Sequence, residues 1–135
     1  MIMVSLGKDG VILSTSTEAY HAFFEKEVDV QTTIGAGDAL MAGFIHYLNR
    51  GESPHLLAEA LGNAVSIATL MIQLGASDME KLSHYELEKQ IMASKQAITV
   101  LPLSKKQRQQ VVSIRPLAMP PFCVNMVNAS LDVNL

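Results

Sequence analysis

The chain has 135 residues, of which 49% are hydrophobic and 17% charged, with a formal net charge of -3. That is the size and apolar content of one compact α/β domain rather than two. Lysines and arginines are scattered except for the short run Lys105, Lys106, Arg108, so neither a nucleic acid nor an anionic membrane is the expected partner.

The longest apolar stretch, Ala64 to Leu74, is interrupted by Ser66, Thr69 and Gln73 and falls short of the roughly 20 residues a membrane span requires, so it reads as a buried helix. Met1 to Leu6 lacks a basic segment followed by a long apolar run and a cleavage site, and is not expected to be a secretory signal. Cys123 is the single cysteine, which precludes an internal disulfide and fits a reducing cytoplasm.

In chain order, Ile2 to Leu6 is an apolar run leading to Gly7 and to Asp9-Gly10, a dipeptide suited to a two-residue type I′ hairpin turn, after which Val11 to Ser14 resumes as a strand. Ser14 to Glu18 is a polar loop, Tyr20 to Phe24 a third strand, and the alternation Val28-Asp29-Val30 a fourth. A helix then opens at Gly35-Ala36-Gly37 and runs to about Asn49, because Leu40, Met41, Phe44, Ile45 and Leu48 share one face; Gly51 supplies its stop.

Ser53-Pro54 has the form of an N-cap followed by proline at the first helical position, and the helix it starts extends to about Gln73, where Gly75 ends it. Ser83 and Glu86 have capping-box spacing and begin a helix that fades near Ala97. Beyond Leu101 the chain turns polar and basic, then apolar and proline-bearing with no clear period. Residues 1–101 therefore read as the domain and residues 102–135 as an irregular tail.

The stretch Thr32-Thr33-Ile34-Gly35-Ala36-Gly37-Asp38 lies between a strand and an amphipathic helix. Small residues there let the backbone approach a ligand, and the free amides of a helix's first turn favour a phosphate or a developing phosphoryl charge. Asp38 beside such a pocket is placed to accept the proton of a substrate hydroxyl. Spacing by itself balances this against a plain alternative, a glycine-rich turn whose aspartate complements the helix dipole. No Gly-Lys-Ser/Thr follows, so this is not a Walker loop, and the third glycine of the dinucleotide fingerprint is missing.

Thr33 to Phe44 closely resembles the C-terminal signature of the PfkB, or ribokinase-like, carbohydrate kinases. Val4-Ser5-Leu6-Gly7-Lys8-Asp9-Gly10-Val11 is similar to the family's strand-turn segment beside ATP, Ala60 to Leu70 with Asn63 resembles the helix flanking adenine, and Gly75-Ala76 sits at a familiar turn. The resemblance covers about Met3 to Ala97. It implies an α/β fold that is the C-terminal portion of a ribokinase-like doubly wound sheet. It also implies an ATP- and Mg2+-dependent kinase acting on a hydroxyl of a sugar, sugar phosphate or nucleoside. Carried over residue by residue, it makes Asp38 the catalytic base, Gly35, Ala36 and Gly37 the anion hole, and Ser5, Gly7, Gly10 and Asn63 neighbours of ATP.

The signature departs from the family pattern at its head. Thr32 stands where many members carry an aspartate that helps hold a monovalent cation, and Ile34 replaces a threonine, so a potassium site is not carried over. Members run to about twice this length, and the acceptor-binding glycines, lid strands and the Asn-x-x-Glu motif associated with magnesium belong to the half not present. Asn49-Arg50-Gly51-Glu52 matches that last pattern in letters only.

His21, His46, His55 and His84 show no metal-ligand spacing and read as surface residues. The alternative to an active kinase is a truncated, catalytically inactive nucleotide-binding module. A half-sheet of this kind is also expected to self-associate as a homo-oligomer through exposed edges.

Overall fold

The computed structural model describes residues 1–51 and 53–112. Four strands, β1 (Ile2–Ser5), β2 (Val11–Ser14), β3 (Ala19–Phe24) and β4 (Ile98–Pro102), form one antiparallel sheet in the order β1-β2-β3-β4. The helices are α1 (Ala36–Leu48), α2 (Leu56–Leu74), the short α3 (Ala76–Met79), α4 (His84–Lys95) and α5 (Lys105–Val112). The fold is thus mixed α/β, and every strand pairing in the described part runs antiparallel.

Period-two alternation sets the core. Register places Met3 opposite Leu13, Val11 opposite Ala22, and Ala22 opposite Val100, so these side chains share one face of the sheet. That face packs on α1 and α2 through Leu40, Phe44, Ala60, Leu61, Ala64 and Val65, all buried. By length and composition α2 would serve as a membrane span, yet it is the central packing helix of this domain, set against the sheet, α1 and α4. Burying Phe44 fully, as here, is worth about 1.5–3 kcal/mol relative to leaving it exposed.

The β1–β2 connection differs from the expected two-residue turn. The Leu6 amide bonds the Gly10 carbonyl (2.8 Å), and a 3₁₀ turn over Gly7–Asp9 fills the loop, with Gly10 at φ 92°. A Cβ at Gly10 would lie 2.1 Å from the Ala22 carbonyl oxygen and 2.7 Å from the Phe23 Cβ, so the hairpin crosses β3 where only glycine fits. Gly10→Ala is accordingly expected to lose several kcal/mol of stability or fail to fold. A circular-dichroism melt with a midpoint near that of the unsubstituted chain would contradict this close approach.

Val28 to Val30 do not form the expected fourth strand. After Phe24 the chain leaves the sheet, and the amides of Gln31 and Thr32 donate to the Ile72 carbonyl at 3.0 and 3.2 Å, tying this segment to the end of α2. The fourth strand is instead β4, which returns beside β3. α2 begins at Leu56 with His55 as N-cap rather than at Ser53, whose hydroxyl accepts from the His55 amide at 3.1 Å. Gly75 ends it as expected.

The capping box at Ser83 is present. The Glu86 amide donates to the Ser83 hydroxyl (3.3 Å), and the Ser83 hydroxyl and amide donate to the Glu86 carboxylate at 2.6 and 3.0 Å. The Ser83 hydroxyl, and then its amide, hold the Glu86 carboxyl below the usual glutamate range. A depressed folded-state pKa contributes stability above the unfolded value and loses it as pH falls through the folded value. Glu86→Gln is therefore expected to lower the thermal midpoint at neutral pH, with the difference vanishing on acidification through the glutamate range. A pH-independent difference would contradict this account.

The two sheet edges are built differently. The bond from the Leu103 amide to the Ala19 carbonyl (2.8 Å) continues the β3–β4 register, so Thr99 and Leu101 face β3 through their backbone groups while Ile98, Val100 and Pro102 face outward. Pro102 thus sits where its missing amide is no loss to the ladder. Past it, α5 starts within the segment expected to be irregular tail, and the Arg108 guanidinium donates to the Thr17 carbonyl. The expectations for Glu52, Cys123 and the proline-bearing end of the tail lie outside the described residues.

Candidate active site

The signature segment is held in place by backbone bonds. Thr32 and Gln31 are anchored to α2 as above, and the Ile34 amide donates to the Thr32 hydroxyl (3.1 Å), a local turn that swings the chain into α1. Gly35 caps α1 in the left-handed region (φ 81°, ψ -3°) without any side-chain cap. A Cβ there would meet the Met71 Cε at 2.6 Å. The helix start is therefore fixed by a conformation that glycine adopts freely and by contact with α2.

The first turn of α1 leaves donors open. The Ala36 amide turns to the Thr33 carbonyl at 3.3 Å, whereas the amides of Gly35, Gly37 and Asp38 donate to no group among the described residues. Such amides at a helix N-terminus favour an anion. Gly37 is exposed, and nothing lies within 4 Å of where its Cβ would be. The Asp38 carboxylate is exposed and makes no hydrogen bond or ion pair with a described residue, so its oxygens are free to accept a proton.

Ser5, Gly7 and Gly10 lie at the end of the sheet where β1 runs into the turn and β3 ends, since the turn abuts Ala22 and Phe23. The loop to the signature departs from that same end. Asn63 is elsewhere. It is buried on α2, and its amide nitrogen donates to the Gly43 carbonyl of α1 at 3.1 Å, so it locks the two helices together.

Asn63 also lines a cleft of about 700 Å³ between α1, α2 and α4, a size suited to a small-molecule ligand. Its floor includes Gly43 and Ile67. Its rim carries His46, Arg50, His84 and Glu88. Arg50 reaches Glu88 at 3.4 Å and His46 at 3.3 Å, and His84 lies 3.8 Å from Glu88.

Lys95 stands 5.0 Å over the Tyr47 ring, and the Tyr47 hydroxyl donates to Glu59 (2.9 Å). That bond, followed by one from Ser53, holds the Glu59 carboxyl low, and the same carboxylate raises the Tyr47 hydroxyl. Reading the sequence put His46 and His84 on the surface and missed the cleft. The i, i+4 pairs His46/Arg50 and His84/Glu88 were visible, but nothing local shows that α1 and α4 bring them together. Among the described residues no three of His, Cys, Asp and Glu are grouped to hold a metal ion.

The family model of the pfkB family carbohydrate kinases matches residues 1–82, and the chain belongs to that family. It is 39% identical over 72 residues to aminoimidazole riboside kinase of Salmonella typhimurium strain LT2, covering 52% of this chain and 22% of that protein. It is 35% identical over 81 residues to 1-phosphofructokinase of Haloferax volcanii, covering 60% and 25%.

Among solved structures, a Staphylococcus aureus protein assigned as a phosphofructokinase superposes with a TM-score of 0.60 and 26% identity, over 76% of this chain and 29% of that one. A Clostridium perfringens protein assigned as a sugar kinase superposes with a TM-score of 0.56 at 20% identity, over 75% and 29%, which bears on the fold alone. The fold is therefore ribokinase-like. The chain spans about a quarter of the length of the curated relatives it matches.

Proposed function

We propose that this chain is the nucleotide-binding and catalytic C-terminal portion of an ATP-dependent kinase that phosphorylates a hydroxyl of a sugar, sugar phosphate or nucleoside. The observation that carries the reading is the first turn of α1, where the open amides of Gly35, Gly37 and Asp38 and the unpartnered Asp38 carboxylate stand side by side. The amides, in a glycine-lined turn completed by Ala36, stabilise the transferring phosphoryl group. Asp38 takes the proton of the acceptor hydroxyl as its oxygen attacks phosphorus.

In this reading Ser5, Gly7 and Gly10 border the nucleotide from the sheet end, and Asn63 acts from the helix side. ATP would supply the phosphoryl group and Mg2+ would offset the charge of its phosphates, although no three metal-ligating side chains are grouped among the described residues. A cytoplasmic location accords with the single cysteine.

Gly37→Val tests the phosphate site. Its Cβ would enter open space, so the fold is expected to survive while the branched side chain occupies the approach of the phosphates. In a complete PfkB kinase carrying this segment, kcat/KM is expected to drop by about 10²-fold or more, on the scale of losing an oxyanion donor. Unchanged kinetics in a folded variant would move the anion site elsewhere.

A second reading is favoured by length: with about a quarter of a relative's chain, the protein acts as an inactive nucleotide-binding module. Transfer of the terminal phosphate of ATP to any sugar or nucleoside by the purified chain would exclude it.

A further inference from the structure

We propose that His21 is a positioning residue of the nucleotide site: its ring holds the Gly7–Asp9 turn against β3, and the affinity for ATP depends on that hold. Side chains alternate along a strand, so with Ala22 turned into the core, His21 and Phe23 face the opposite side of the sheet. There the His21 Nε2 lies 2.7 Å from the Asp9 carbonyl oxygen. A backbone carbonyl only accepts, so the proton of this bond sits on Nε2. The Phe23 ring packs beside the imidazole, with centroids 5.1 Å apart and planes tilted by 42°, and restricts its orientation.

The turn depends on a hold from outside. Its backbone bonds run from the Leu6 amide to the Gly10 carbonyl (2.8 Å), from the Asp9 amide to the Leu6 carbonyl (3.3 Å) and from the Gly10 amide to the Gly7 carbonyl (3.1 Å). All three close within the turn, so they set its shape and not its attitude to the sheet. Gly7, Lys8 and Asp9 are exposed, and nothing lies within 4 Å of where a Cβ on Gly7 would be. The close approach of Gly10 to Ala22 and Phe23 fixes one end of the turn. Among the described residues, His21 is the one side chain that bonds the remainder.

Ser5, Gly7 and Gly10 border ATP in the function proposed above, and the role of His21 rests on that reading. A glycine-bearing turn meets a ligand through its backbone, and holding it in place beforehand lowers the cost of ordering it on binding. His21 acts through the turn, so its loss is expected in the binding of ATP and not in the chemical step.

The test compares His21→Phe, which keeps an aromatic ring beside Phe23 but cannot donate, with His21→Gln, whose amide can. In the 135-residue chain, the Asp9 and Gly10 amides of His21→Phe are expected to exchange with solvent about three- to tenfold faster, the scale of one hydrogen bond between uncharged groups. His21→Gln is expected to exchange near the unsubstituted rate. The second arm uses Salmonella aminoimidazole riboside kinase carrying residues 1–82 of this chain in place of their counterparts. There His21→Phe is expected to raise the KM for ATP, and its Kd by calorimetry, by the same factor, with kcat and the KM for aminoimidazole riboside within about twofold.

Unchanged exchange, or faster exchange with unchanged ATP affinity, overturns the proposal. So does an equal loss in the two variants, or a fall in kcat that accompanies the rise in KM. A chimera that binds no ATP overturns the nucleotide reading and this role with it. ATP affinity that depends on His21 in a chimera whose turnover is indifferent to Asp38→Asn would leave the role of His21 standing and count against the catalytic reading alone.

Discussion

The purified 135-residue chain is expected to show no detectable sugar or nucleoside kinase activity and to self-associate. Phosphoryl transfer requires donor, metal and acceptor held in line, water excluded and a base within reach. The described residues offer open amides, a free carboxylate and helix-lined walls, but no three acidic or histidine side chains grouped around a metal. A kinase chain without an acceptor pocket would forfeit most of the positioning advantage, which reaches about 7–11 kcal/mol in well-oriented systems.

Self-association follows from apolar side chains left in solvent, such as Ile34 at 83% and Met92 at 71% exposure. Sedimentation velocity across a concentration series and a radiolabelled-ATP assay measure the two halves of this prediction. A concentration-independent monomer with ordinary turnover would contradict both.

In a complete kinase carrying this segment, Asp38→Asn is expected to reduce kcat by about 10²-fold or more while leaving ATP affinity nearly unchanged. The amide keeps the size and shape of the carboxylate but cannot take a proton from the acceptor. Asp38 has no bonded partner among the described residues, so its replacement breaks no structural contact, and a loss of turnover can be read as chemistry rather than unfolding. Its place in the first turn of α1 also complements the helix dipole, but removing that contribution costs only about 0.3–1 kcal/mol of stability. A melt and a kcat measurement on the same variant separate the two roles, and a lowered midpoint with full turnover would assign Asp38 to the helix alone.

Elements written by local chemistry were legible in the sequence. The Ser83/Glu86 box, the Gly75 stop and the amphipathic run of α1 depend on residues within one or two turns of each other, and each is found in the structure, except that Ile45, expected on the packed face of α1, is exposed. What depended on distant contacts was not. β4 has no counterpart among the elements expected at the end of the domain because its partner β3 lies more than 70 residues earlier, and Val28 to Val30 alternate like a strand but are drawn off the sheet by the bonds to Ile72. The Asp9-Gly10 pair marks a reversal correctly, yet the close crossing at Ala22 and Phe23 selects a longer turn with a 3₁₀ segment.

The candidate site divides in the same way. Gly35, Ala36, Gly37 and Asp38 are contiguous and were readable as one helix N-terminus. The Asn63 bond to Gly43 and the cleft it borders arise only when α1 and α2 pack side by side.

The central claim is that Asp38 and the open first turn of α1 perform phosphoryl transfer. The most direct measurement replaces the matched region of Salmonella aminoimidazole riboside kinase with the corresponding residues of this chain and follows ATP-dependent phosphorylation of aminoimidazole riboside. The account predicts a folded chimera that turns over, and an Asp38→Asn chimera that binds ATP as well but turns over about 10²-fold more slowly or worse. A folded chimera whose rate is the same with aspartate or asparagine at position 38 would contradict it.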